Sequence, residues 1–161
     1  MRAEIIQVEY GYTATFERRF VQSPDQMWAM LTENEKLQSW FPELRVEKLE
    51  EGGSLSFRMG DGTTDSLAIT DFQDGKVLAF EWAEDEVRFE LEEEGSGTKL
   101  WLIEFISRFT PHTARDLAGW HVCLNVIQAL LDDKAIERKQ EWEREYPEYA
   151  RLIDSMGVTF D

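Results

Sequence analysis

Hydrophobic residues recur in two rhythms along the chain, and each predicts a different kind of element. Tyr12 to Val21 is rich in β-branched and aromatic residues, with Ala14, Phe16 and Phe20 sharing a face, and predicts a first strand. Ser23 then precedes Pro24, a helix cap ahead of proline at the first helical position, and Met27, Trp28, Met30 and Leu31 supply a buried stripe. Thr32 and Glu35 carry the spacing of a capping box for a second short helix. Its apolar face of Leu37, Trp40 and Phe41 runs until Pro42 stops it.

From Leu44 to Ile106 the period is two. It shows in Leu55, Phe57 and Met59, in Leu78, Phe80 and Trp82, in Val87, Phe89 and Leu91, and in Leu100 and Leu102. The separators Gly52-Gly53, Gly60-Asp61-Gly62, Asp74-Gly75, Ala83-Glu84-Asp85 and Gly95-Ser96-Gly97 are short, turn-rich links. Five or six strands are therefore expected as an antiparallel meander, with no link long enough for a helical crossover. After Thr110-Pro111 the helical period returns with Ala114, Leu117, Ala118, His121, Leu124 and Ile127 on one side, which predicts the longest helix over residues 110–132. The charged stretch from Lys134 to Glu145 reads as a mostly solvated face. It leads into Trp142, Tyr146, Tyr149, Leu152, Ile153 and Met156, so residues 134–157 are expected as a C-terminal helical extension.

The chain is 161 residues long, and 42% of them are hydrophobic. That is enough to build a core, so a single α+β domain over residues 1–161 is expected, with the long helix packed against the concave face of the sheet. Seventeen Lys and Arg stand against thirty-three Asp and Glu, a net charge of −16. Such a field repels phosphate backbones and anionic lipid surfaces, which argues against nucleic acid as a partner. No run of eighteen apolar residues occurs, the N-terminus lacks the apolar core of a signal peptide, and the single Cys123 cannot close an intramolecular disulfide. The expectation is a cytoplasmic protein without membrane insertion.

The order of strand, two short helices, meander and long helix is the helix-grip arrangement, in which a curved sheet wraps around a C-terminal helix. Several local patterns add to it: Phe16 to Phe20 running into Ser23-Pro24 and Met27-Trp28, then Leu31-Thr32, Trp40-Phe41, Glu51-Gly52-Gly53, Gly97-Thr98 and Gly119-Trp120-His121. Over about residues 12 to 132 the chain resembles bacterial homologues of the activator of heat-shock protein ninety ATPase, of the START-like, or SRPBCC, superfamily. The resemblance implies a helix-grip fold with an internal cavity as its working part. The eukaryotic activator resembles a two-domain protein with a separate chaperone-binding domain, for which these 161 residues have no room, so chaperone activation is not the leading expectation.

No dedicated catalytic motif stands out. Two His and one Cys, with no HxxxH, HxxE or CxxC spacing, do not make a metal site, and no cofactor is expected. Cys123 and His121 are two residues apart on a helix and point about 200° from each other, which rejects a nucleophilic pair. The glycine pairs lead into strands and act as turn formers, not as phosphate loops.

His121 falls on the apolar face of the long helix, either as a satisfied core histidine, the commoner case, or as a ligand-contacting or proton-transferring group. Glu104 shares a strand face with Leu100, Leu102 and Ile106, where a carboxylate needs a reason. Either it pairs with His121 across a cavity, or the strand register is shifted by one and it meets water. Trp28, Trp40, Phe57, Phe80, Trp82, Phe89 and Trp120 are ordinary core aromatics individually, but as a set some should line a cavity. The residues expected to touch a ligand are Trp40, Phe57, Trp82, Phe89, Glu104, Trp120 and His121.

Trp101, Ile103 and Phe105 make the last strand apolar on its second face as well. That face is covered either by the aromatics of the terminal segment or by a second subunit in a homodimer. Three functions remain open: non-catalytic binding of a small hydrophobic, lipid-like or aromatic ligand between sheet and long helix; a cyclase- or aromatase-like enzyme using the same cavity; and a protein-interaction module that stimulates a chaperone ATPase. Binding leads, because an enzyme wants a positioned acid or base and a carrier does not.

Overall fold

A computed structural model describes residues 1–157. Among them the chain forms β1 (Glu4–Val8), β2 (Gly11–Phe20), α1 (Pro24–Thr32), α2 (Asn34–Trp40), β3 (Leu44–Lys48), β4 (Ser54–Arg58), β5 (Thr64–Gln73), β6 (Val77–Trp82), β7 (Asp85–Glu94), β8 (Gly97–Ile106), α3 (Thr113–Leu131) and α4 (Arg138–Asp154). The strands join in one sheet in the order β1-β2-β8-β7-β6-β5-β4-β3. This is the α+β, helix-grip class expected from the sequence. The chain falls into two compact units: Met1–Phe16 with the chain from Ile106 onward, and Glu17–Phe105.

In the Glu17–Phe105 unit the expected meander is present, and every consecutive pair from β3 to β8 is antiparallel. The sheet is joined to the end of β2 by close contacts. Lys99 Nζ lies 2.7 Å from Glu17 Oε1, and the Thr98 hydroxyl donates to the Gln22 carbonyl at 2.8 Å. Gly97 is required here, because a Cβ on it would sit 2.3 Å from the Phe20 carbonyl oxygen, a backbone atom that cannot move aside.

Helix α1 is capped as its sequence predicts: Ser23 and Gln26 form a reciprocal capping box, with Pro24 in the first turn. The box expected at Thr32 and Glu35 does not form. Thr32 is still the last residue of α1 and its hydroxyl donates to the Trp28 carbonyl, so α2 starts from Glu33 with no side-chain cap. Asn34 instead clamps β3, accepting from the Val46 N–H at 2.7 Å and donating to its carbonyl at 3.0 Å.

In the other unit, β1 is an element that the strand pattern did not predict. Its residues Ile5, Ile6 and Val8 suit a strand, but only pairing with Ala14, Thr13 and Gly11 of β2 stabilises so short a segment. Gly11 follows the turn with φ 148° and lies against the Ile106 carbonyl, where a Cβ would sit 2.2 Å away. Helices α3 and α4 lie within the expected ranges 110–132 and 134–157. Trp120 is buried in α3, as is Cys123, whose Sγ is 3.4 Å from Arg138 Nη2.

On β8, Leu100, Leu102, Glu104 and Ile106 are buried, so the register is not shifted and Glu104 faces inward, opposite the buried Val87 of β7. Trp101 and Ile103 on the other face are half-buried and Phe105 is exposed. The terminal aromatics are engaged with their own unit: Trp142 Nε1 donates to the Arg115 carbonyl, and Tyr149 is buried with its hydroxyl accepting from the Ala3 N–H at 3.0 Å.

Across the outer face of the sheet, Arg88 joins Asp71 and Glu90, with 2.7 Å to the former. The hydrogen bond from Arg88 holds the Asp71 carboxyl below its ordinary range, as the one from Lys99 does for Glu17. A carboxyl depressed in the folded state stabilises above its unfolded pKa, and the contribution is lost as pH falls through the lower folded value. Arg88→Gln should therefore lower the denaturation midpoint relative to the wild type at pH 7, and the gap should close in acid below the ordinary carboxylate range. A gap independent of pH would show that Arg88 acts through packing alone. Gly97→Ala should cost at least about 1–3 kcal/mol in the same measurement, since the new methyl meets unyielding backbone.

Candidate functional site

Four of the seven expected ligand contacts come together in the Glu17–Phe105 unit. Trp40 ends α2, where its indole N–H donates to the Met30 carbonyl at 2.8 Å and fixes the ring between the two short helices. From there the rings run on in successive contacts, edge to face but for one stacked pair. Trp40 meets Phe89 at 6.2 Å between centroids, Phe89 stacks on Phe80 at 6.5 Å, and Phe80 meets Trp82 at 6.3 Å. Trp82 meets Phe57 at 5.5 Å and 89°, a near-perpendicular contact in which the positive edge of one ring faces the negative face of the other. Trp40, Phe80 and Phe89 are buried, whereas Phe57 and Trp82 keep partial exposure, so the cluster has a dry end and a wet end.

Phe41 completes the wet end and was not among the expected contacts. It touches Trp40, Phe57 and Trp82, the last two at 6.0 and 5.9 Å. The signal that places it is Pro42, which ends α2 and leaves Phe41 with non-helical backbone, turned out of the α2 stripe. Beside it lies a cavity of about 520 Å³ lined by Phe41, Glu43, Phe57, Arg58, Met59 and Gly60. Glu43, Arg58 and Met59 are exposed at its mouth. Arg58 is the last residue of β4 and reaches the pocket beside Phe57 and Met59.

Glu104 is 1% exposed, on the same inner face of β8 as Leu102, whose β7 partner is Phe89. Glu104 is the buried carboxylate of this unit, on the same strand as the buried Thr98.

The remaining two expected contacts, Trp120 and His121, belong to the other unit. His121 is buried, and two polar groups of α4 lie beside it: Nδ1 is 2.8 Å from the Tyr149 hydroxyl and Nε2 is 3.6 Å from Glu145 Oε1. Glu145 in turn accepts from Arg2 Nε at 2.8 Å and has Arg144 Nε 3.6 Å away. With the Ala3 N–H donating to the Tyr149 hydroxyl, that hydroxyl can in turn donate to Nδ1, which leaves the imidazole proton on Nε2, on the side of the Glu145 carboxylate. The charged stretch from Lys134 is mostly solvated as expected, with Glu145 as its buried residue, held in by this network. Among the described residues, no group of three or more His, Cys, Asp or Glu is arranged to hold a metal ion, and no helix is long and apolar enough to cross a membrane.

Comparison with known proteins agrees with this architecture. A protein from Enterococcus faecalis, EF2215, whose function is unknown, is 27% identical, with 93% of this chain and 91% of that one covered and a TM-score of 0.80. CalU16 from Micromonospora echinospora is 20% identical over 94% of this chain and 96% of its own, with a TM-score of 0.73. DynU16, a protein of the dynemicin biosynthetic locus, is 19% identical over 74% of this chain and 47% of its own, with a TM-score of 0.64. Among curated proteins, none matches the sequence. The family model described as "Activator of Hsp90 ATPase homolog 1-like protein" matches residues 22–132, more than two thirds of the chain, and the protein belongs to that family.

Proposed function

We propose that this protein is a non-catalytic binder of a small hydrophobic ligand, held by the aromatic cluster of the Glu17–Phe105 unit. The observation that carries this reading is the graded cluster itself, with buried Trp40 and Phe89 at one end and half-exposed Phe41, Phe57 and Trp82 beside an open cavity at the other. Concave, mostly apolar sites with a few polar groups are the usual form of small-molecule pockets. Glu104 on the same unit's inner face is the candidate polar contact. One solved structure of similar fold supports a small-molecule role by association, since DynU16 comes from a biosynthetic locus.

The same geometry weakens the cyclase-like alternative. A general base needs a nitrogen or carboxylate within reach of a substrate proton, and both ring nitrogens of His121 face groups on α4. We assign His121 and its neighbour Trp120 to structure. The family's link to a chaperone ATPase keeps one further reading, for which the half-exposed Trp101, Ile103 and exposed Phe105 of β8 are the relevant surface.

Native mass spectrometry of freshly purified protein should show an adduct that organic extraction removes. Titration with the neutral fluorophore N-phenyl-1-naphthylamine should quench tryptophan emission in a saturable way. Trp82→Ala should weaken that binding by about tenfold or more, while Trp101→Ala on the outer face leaves it unchanged. Equal losses from both variants, or no saturable binding at all, would remove the ligand-binding reading. Tyr149→Phe should lower the unfolding midpoint by about 1–3 kcal/mol, since it strands the Ala3 N–H and His121 Nδ1, and should leave probe affinity intact; a changed affinity would return His121 to the ligand site.

A further inference from the structure

We infer that the pocket beside Phe41 and Phe57 selects an aromatic molecule carrying a single acidic group, with Arg58 as the residue that recognises the anion. This rests on the ligand-binding reading above and names the class of ligand.

The argument starts from register. Leu44 pairs with Phe57, and the Arg58 N–H donates to the Glu43 carbonyl at 2.9 Å, so Glu43 and Arg58 stand opposite one another at the cavity mouth. In a chain with almost two acids for every base, an arginine is expected to be taken up by a carboxylate. Arg115 lies over the Tyr146 ring, and Arg2, Arg19, Arg45, Arg88, Arg144 and Arg151 are in ion pairs. Arg58 is in none among the described residues, although a carboxylate stands on the facing strand position. Its guanidinium is therefore available at the lip of a cavity of about 520 Å³ lined by Phe41, Phe57 and the exposed Met59.

That combination reads as recognition of two things at once. The rings and the Met59 thioether offer a flat apolar wall suited to an aromatic body. The guanidinium offers a planar fork of N–H donors that matches a carboxylate or sulfonate better than an ammonium would. A cationic ligand is a poorer fit to a selective site here, because a surface with net charge −16 attracts cations everywhere and needs no special arrangement to do so. An anion, by contrast, approaches against that field and is retained only where a cation is kept for it. Glu43 across the mouth limits the tolerated charge to one, since a second anionic group would meet it directly.

The test compares two probes with one ring skeleton, N-phenyl-1-naphthylamine and its sulfonated counterpart 8-anilino-1-naphthalenesulfonate. The wild type should bind the sulfonate about tenfold more tightly than the neutral amine. Arg58→Gln should abolish that preference while leaving the affinity for the neutral probe and the denaturation midpoint unchanged, and Arg58→Lys should recover part of it. Added salt should weaken the sulfonate only, and 1-naphthoate should displace it at lower concentration than naphthalene does. Equal wild-type affinities for the two probes, or a preference that survives in Arg58→Gln, would overturn the anion assignment and leave hydrophobic binding standing. Binding of neither probe would overturn the ligand-binding reading, and this assignment with it.

Discussion

The pairing of β2 with β8 is the contact on which the sheet depends. Every other neighbour in the order β1-β2-β8-β7-β6-β5-β4-β3 is also a neighbour in sequence and is joined by a short turn. Only β2 and β8 must find each other across the whole meander and both short helices. Closing a chain segment costs about 0.6 kcal/mol for each doubling of its length, and that cost is met before the contacts it permits exist. The join is accordingly specific. Gly97 lies against the Phe20 carbonyl, Thr98 bonds Gln22 and Lys99 pairs with Glu17, while Gly11 lies against Ile106. Side chains at either glycine would push the backbones apart.

Once β8 is in place beside β2, its inner face presents Leu100, Leu102 and Glu104, and β7 brings Val87 and Phe89 opposite the last two. Phe89 is the residue on which the aromatic series is built, since it touches both Trp40 from α2 and Phe80 from β6. The helices reach that series through a backbone bond, Trp40 to the Met30 carbonyl, and through the Asn34 clamp on β3. Binding capacity and stability therefore draw on the same residues at the dry end of the cluster and separate only at the wet end, where Phe41, Phe57 and Arg58 border the cavity. Functional variation is least costly at that end, because exposed side chains carry less of the fold's burial energy.

The unit formed by the N-terminal strand and the last two helices is organised around polar groups. Arg2, Glu145, His121 and Tyr149 form one connected network, with Phe16 set against both the imidazole and the phenol rings. A fully satisfied buried network rigidifies its surroundings, whereas a broken one leaves costly unpaired groups. This accounts for a buried glutamate in a helix that otherwise reads as a charged surface.

The sequence by itself determined the local features: the two short helices and the cap at Ser23, a meander of five or six strands with its short turns, the long helix and the burial of Trp120, whereas the inward placement of Glu104 was open until the β7–β8 register settled it. These follow from periods of 3.6 and 2 and from turn chemistry, all of which act between residues close in the chain. It also indicated four aromatics, Trp40, Phe57, Trp82 and Phe89, that do share one cluster. Tertiary structure alone decided that Thr32 bonds backward into α1 and not forward into α2, that residues 4–8 pair as a strand, that Glu145 and Tyr149 are the partners of His121, and that Arg58 stands at the rim of an aromatic pocket. Periodicity encodes which face of an element is buried. It carries no information about which buried groups from distant segments meet, because that choice is made by long-range register and by competition among partners that become available only after the chain has closed.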